Sequence, residues 1–169
     1  LYQRAVVSVV GLLIFIAALA YRRQPARSAG WNRTLLSSGL QLGLAIIILT
    51  VFLHGKFLTL LKGISSEQGI ALLLLFLLGL AEETIFRGYI HLRLSSWLGN
   101  TPGWLATAGL YTIWQLPRLM GALPASQLSI ELGLALLQGL LLGWIMQKCR
   151  NVLAPTLYRA ISGWIMFLG

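Results

Sequence analysis

Apolar residues in this chain run in long blocks, without the alternation of a half-buried strand or the single stripe of a soluble helix. A helix that crosses a bilayer needs about 20 mostly apolar residues, with roughly 17–25 tolerated. Six segments approach this length: 5–21, 35–53, 70–94, 104–116, 130–146 and 152–168. The second is interrupted only by Ser37, Ser38, Gln41 and Thr50. The third is long enough to tilt or to extend beyond the bilayer. The fourth is short, and Pro117 is expected to stop it. The sixth carries Pro155 in its first turn, where a missing N–H does least harm. Between the second and third, residues 54–69 are amphipathic and punctuated by glycines and lysines, as in an interfacial helix or a re-entrant loop.

The expected fold is therefore an all-α integral membrane protein, a polytopic bundle of about six transmembrane helices. A single domain over 1–169 is expected, with N-terminal helices 5–21 and 35–53. Composition agrees: 57% of residues are hydrophobic, 10% are charged and the mean hydropathy is +0.81, which excludes an ordinary soluble domain. The chain starts at Leu1, and residues 1–21 resemble a signal peptide. They have no small-x-small cleavage site before Arg22 and are read as a first membrane helix.

Charge refines orientation. The net charge of +9 suits basic loops meeting anionic lipid; no basic tract with interleaved aromatics points to nucleic acid. With six alternating spans, Arg22, Arg23, Arg27, Arg33, Arg93, Lys148 and Arg150 share one side, against Arg4, Lys56, Lys62 and Arg118 on the other. This excess places the Arg22 loop on the cytoplasmic or stromal side. The lone Cys149 excludes an internal disulfide.

The chemistry concentrates in the third segment. Of only four acidic residues, two are adjacent, Glu82 and Glu83, at the end of a run that is otherwise apolar from Ile70 to Ala81. A charged side chain at bilayer depth costs roughly 2.5–3.5 kcal/mol on the mildest insertion scale, so such a pair marks a site. On a helix, Glu83, Arg87 and His91 recur at four-residue spacing and share a face. Glu82 lies about 100° away, beside Phe86 and Tyr89, with no basic partner on its own helix. Glu83 is thus neutralised locally, while Glu82 must find a partner on another helix or in water. The alternative is a structural ion pair with Glu82 snorkelling at the helix end.

Glu82-Glu83-Thr-Ile-Phe-Arg87-Gly88 resembles the Glu-Glu-x-x-x-Arg signature of the CAAX protease and bacteriocin-processing (CPBP, or Abi) family of intramembrane proteases. Tyr111-Thr-Ile-Trp-Gln115-Leu-Pro117 resembles the family's second motif, Phe-x-x-x-His. Ala154-Pro155-Thr-Leu-Tyr-Arg159-Ala-Ile-Ser-Gly163 resembles the third, His-x-x-x-Asn after an Ala-Pro or Pro-Pro turn. The matched region covers 70–169. The resemblance implies a glutamate-dependent endopeptidase in which the first glutamate and the second-motif histidine activate a water. The third-motif histidine and asparagine would stabilise the oxyanion.

Carried over residue by residue, only Glu82, Glu83 and Arg87 match. Gln115, Arg159 and Gly163 stand at the histidine, histidine and asparagine positions. Gln115 can hold a water but cannot exchange a proton near neutral pH. Arg159 is permanently cationic, with a fork matched to a carboxylate. Gly163 has no side-chain donor, and one lost oxyanion donor costs about 10²–10³ in rate. The expected arrangement is a Glu82–Arg159 ion pair closing a protease-shaped cavity. The expected function is a disabled relative acting as a scaffold, assembly factor or subunit that binds other membrane proteins, within a larger membrane complex. The alternative is an active endopeptidase cleaving membrane-anchored or prenylated peptides. A transporter is disfavoured because no second broken helix with matching charges appears.

Other residues are read structurally. His91 lies off the Glu82 face. His54 is an interfacial residue, or an axial ligand were a pigment or haem bound. No cofactor and no metal site is expected, since the glutamates have no histidine nearby. Gly139-x-x-x-Gly143 serves helix packing inside the protein or dimerisation. Glu131 is expected to open the fifth helix and complement its dipole. Trp97, Trp104, Trp114, Trp144 and Trp164 suit interfacial belts, with Trp114 alternatively lining the cavity.

Overall fold

A computed structural model describes residues 1–168. They form helices α1 (Tyr2–Tyr21), α2 (Leu36–Leu53), α3 (Phe57–Leu61), α4 (Ser66–Glu83), α5 (His91–Leu98), α6 (Asn100–Ala122), α7 (Ala125–Cys149) and α8 (Leu153–Trp164). A π-helical stretch, Thr84–Ile90, joins α4 to α5 without a break. Among the described residues there is no strand. The protein is an all-α membrane protein.

Among the described residues, four helical runs are long and apolar enough to span a bilayer: Tyr2–Tyr21, Arg33–Leu53, Ser66–Leu98 and Ala125–Cys149. This corrects the expected six. The segment around 104–116 belongs to α6, whose apolar character is diluted by Asn100, Thr101, Gln115 and Arg118. Helix α8 has only 12 residues, about 18 Å at 1.5 Å per residue against a hydrocarbon core of about 30 Å. The run Ser66–Leu98 errs the other way. Its 33 residues reach roughly 50 Å, so it extends beyond the core, as the length of the third segment suggests.

Helix boundaries follow local chemistry. Helix α4 starts earlier than the apolar run because Ser65 and Gln68 form a capping box: the Ser65 hydroxyl accepts from Gln68 N–H at 3.2 Å and Gln68 Oε1 accepts from Ser65 N–H at 3.0 Å. Such a cap contributes about 1 kcal/mol. Residues 54–69 therefore hold the five-residue, largely exposed α3 and the first turn of α4. Pro117 does not end α6, which runs on to Ala122; a proline removes one internal hydrogen bond, and neighbouring turns carry the helix past it. Helix α7 starts at Ala125 after Pro124, so Glu131 sits in its second turn and does not open it. Pro155 falls in the first turn of α8 as expected.

The main packing partners are α6 with α7, α8 with both α4 and α2, α5 with α6, and α1 with α4. Close approach depends on glycine. A Cβ on Gly143 would come within 2.5 Å of the Trp104 ring, whose indole N–H donates to Leu140 O at 2.8 Å. A Cβ on Gly139 would meet Ala108 at 3.3 Å. The small-residue pair thus seats α7 on α6 within the chain. Trp104 and Trp164 depart from the belt expectation: Trp164 is 3% exposed and donates to Gln68 O at 2.7 Å. Trp97, Trp114 and Trp144 are exposed, as are Leu13, Ile14, Ile48 and Phe52, an apolar exterior suited to lipid.

The segment after α1 docks on the centre of the bundle. Gly88 in the π stretch lies so close to this segment that a Cβ would stand 2.0 Å from Ala29 O. Gly30 O accepts from Val152 N–H at 3.2 Å, and Asn32 O accepts from the Asn151 amide at 2.9 Å. These bonds tie the α7–α8 turn to the Arg22 loop. Arg93 donates to Gln24 Oε1 at 2.8 Å, so Arg27, Arg93 and Arg150 gather at one end of the bundle, and Arg4 and Arg118 line a common cavity elsewhere.

Candidate functional site

The acid pair sits where α4 passes into the π stretch. Inserted π turns are rare and often accompany functional sites. Glu83 and Arg87 are both fully buried and pair at 3.2 Å between Oε2 and Nε. The contact is ionic and is not aligned as a hydrogen bond. Arg87 also donates from Nη2 to Gly139 O at 3.5 Å. Glu82 turns to another face, as the helical wheel requires, and Arg159 of α8 donates from Nη2 to its Oε2. A second Arg159 nitrogen lies 3.9 Å from Glu83 Oε1. Two carboxylates and two guanidiniums thus form a neutral cluster. That balance matters because an unpaired buried charge costs several kcal/mol.

Tyr111 is the hinge of the cluster. Its ring lies 4.1 Å from the Arg87 guanidinium carbon and 5.3 Å from that of Arg159, so both cations face the aromatic ring system. Its hydroxyl accepts from Arg159 Nη1 and lies 3.3 Å from Gln138 Oε1, to which it donates. Phe86 packs edge-on against Tyr111 at 5.6 Å and lies 6.0 Å from Trp114. Sequence reading passed over Tyr111 as a hub. Its signal was its place one helical turn before Gln115, at the aromatic position of the second motif.

The three substituted positions come together. Gln115, Arg159 and Gly163 line one cavity of ≈ 680 Å³ with Tyr111, Gln138 and Arg118. Its remaining walls are largely apolar, including Leu49, Leu75, Leu78 and Ile145. A Cβ at Gly163 would meet only Leu75 at 3.4 Å, so the position has room for a side chain. Glu82 lines a neighbouring cavity with Trp114, Gln115, Arg4 and Arg118, and its side chain is 13% exposed. Trp114 therefore faces a cavity as well as the exterior. Arg4 and Arg118, two cations near the acid, enter the sequence reading only as charges on the side opposite the Arg22 loop.

The histidines stand apart from this chemistry. His91 is buried and lines a different cavity, with Arg27 and Arg150. His54 bonds through Nδ1 to Thr50 O at 2.8 Å on the rim of the large cavity. Among the described residues, no three His, Cys, Asp or Glu side chains gather in a set that could hold a metal ion.

A membrane-embedded helical bundle with an acid pair, one member fully buried and the other partly exposed, met by residues from three helices lining one cavity, defines the class: a protein built like an intramembrane peptidase. A family model described as type II CAAX prenyl endopeptidase Rce1-like matches residues 65–165, and the chain belongs to that family. No curated protein and no solved structure matches the chain.

Proposed function

We propose that this chain is a member of its family whose peptidase centre is closed by its own arginine. In this reading it serves as a scaffold or accessory subunit for other membrane proteins in a larger membrane complex. The observation that carries the reading is the contact of Arg159 with Glu82. A water-activating carboxylate needs a free lone pair facing water and substrate. Here one Glu82 oxygen is taken by a guanidinium that cannot give up its proton. Gln115 cannot relay a proton, and Gly163 supplies no oxyanion donor. Glu82, Glu83 and Arg87 then hold the core together, and the lipid-facing helices supply docking surface in the bilayer. The Arg22 loop is placed on the cytoplasmic or stromal side by its charge.

The test is cleavage of a fluorogenic, prenylated, membrane-tethered peptide by the protein reconstituted in vesicles. No turnover is expected from the wild type. Gln115→His, Arg159→His and Gly163→Asn together rebuild the proton relay and oxyanion donors, and turnover is expected to appear and to vanish again on adding Glu82→Ala. Wild-type turnover abolished by Glu82→Ala would overturn the reading in favour of an active endopeptidase with a modified site.

A further inference from the structure

A second polar cavity, of ≈ 470 Å³, opens at the end of the bundle that carries the Arg22 loop. Three parts of the chain build it. Arg27 comes from the short turn after α1, and Arg150 from the left-handed residue that ends α7. His91 and Ser95, one turn apart on α5, lie deeper. Asn32 and Gln147 complete the wall.

Its charge is one-sided. None of the four acidic residues lines it, and among the described residues neither Arg27 nor Arg150 forms an ion pair. Both arginines are exposed at the mouth, whereas His91 is 2% exposed. His91 Nδ1 and Ser95 Oγ are buried with no hydrogen-bond partner. A buried polar atom without a partner is costly, and both of these belong to side chains of residues that line this cavity. The rim is held in place independently of any ligand: Gln147 donates to Asn100 O at 3.2 Å, and Asn151 donates to Asn32 O at 2.9 Å.

We propose that this cavity binds a phosphate-bearing anion, with Arg27 and Arg150 holding the phosphate at the mouth and the His91 and Ser95 side chains bonding it from below. Guanidinium forks match phosphate oxygens, and basic pockets between membrane helices are suited to anionic headgroups. The same donors would accept the phosphate of a lipid or a free phosphate ion. The site is separate from the Glu82 cluster and does not depend on whether that cluster is active.

The test uses the purified full chain in neutral detergent, with thermal unfolding and native mass spectrometry as readouts. The probes are dioctanoyl phosphatidic acid, inorganic phosphate and uncharged dioctanoylglycerol. Phosphatidic acid is expected to bind saturably and raise the unfolding temperature, and dioctanoylglycerol to do neither. Competition by inorganic phosphate would identify the free ion as sufficient; its failure to compete would assign the site to lipid. Arg27→Gln with Arg150→Asn is expected to weaken binding about tenfold or more. Arg22→Gln with Arg33→Asn removes the same charge outside the cavity and is expected to change it less than about twofold. Ser95→Ala should weaken binding while leaving the ligand-free protein as stable as before. Equal losses in the two double variants, or no saturable effect of either phosphate probe, would overturn the proposal.

Discussion

Arg159 crosses from α8 to bond Glu82 on α4, a residue 77 positions earlier in the chain. The same guanidinium donates to the Tyr111 hydroxyl on α6. One side chain therefore ties three helices together at the place where family members would assemble a hydrolytic centre. Chemistry and stability consequently point to different residues of the acid pair, and mutagenesis can separate them.

The Glu83–Arg87 pair is fully buried on both sides. Arg87→Met leaves the Glu83 charge without its nearest partner, and a loss of about 3–5 kcal/mol is expected. Adding Glu83→Gln to that variant should recover a large part of it. Glu82→Gln, at a partly exposed position, should cost less than Arg87→Met. Reversible unfolding in mixed micelles measures all three; equal losses for Arg87→Met and Glu82→Gln would contradict the assignment of Glu83–Arg87 as the structural pair.

Tyr111→Phe keeps the ring that both guanidiniums face and removes only the hydroxyl. Arg159 then loses an acceptor and Gln138 a donor, at an expected cost of about 1–3 kcal/mol. Tyr111→Leu removes the aromatic face as well and should cost more. The difference between the two variants in the same unfolding assay reports the ring's share.

Gly88 and Gly109 should respond oppositely to alanine. At Gly88 the new methyl would collide with Ala29 O, and about 1–3 kcal/mol of destabilisation is expected. At Gly109, inside α6, a Cβ meets nothing within 4 Å, so alanine should be neutral or stabilise by about 0.5–1 kcal/mol. Limited proteolysis of the Arg22 loop offers a second readout, because Gly88→Ala should lift that loop from the bundle and speed its cleavage.

Gly143→Ala pushes on Trp104, 2.5 Å from the new Cβ. Trp104→Ala should be destabilising alone, yet the two changes together should cost less than their sum, since the clash has been removed. A double-mutant cycle gives the coupling, expected at about 0.5–3 kcal/mol. Strict additivity would mean that the α6–α7 seam is not set by this contact.

Sequence periodicity was enough for the local part of the site. Four-residue spacing put Glu83 and Arg87 on one face, and the 100° step per residue sent Glu82 elsewhere. Aligning the second and third motifs brought Gln115, Arg159 and Gly163 toward one cavity. What hydrophobicity could not distinguish was a membrane span from a helix buried among spans. Helix α8 is apolar because it faces protein, whereas α6 keeps an exposed apolar face, with Leu105, Ile113 and Met120 on it, beside a buried face of small and polar residues, so both segments imitated the spanning ones. Nor was Trp164 separable from an interfacial tryptophan, because its indole partner, Gln68 O, is 96 residues away.

The sequence by itself determined that the chain is helical, that it lives in a bilayer, and which side chains carry unusual charge, because composition and short-range spacing are properties of the chain alone. Tertiary structure decided which charge meets which, that Tyr111 joins both arginines, and that the Arg22 loop docks on Gly88 and shares a cavity with Arg150, His91 and Ser95. Those relations depend on packing between residues far apart in the chain, where a difference of a few ångströms separates an ion pair from an exposed charge.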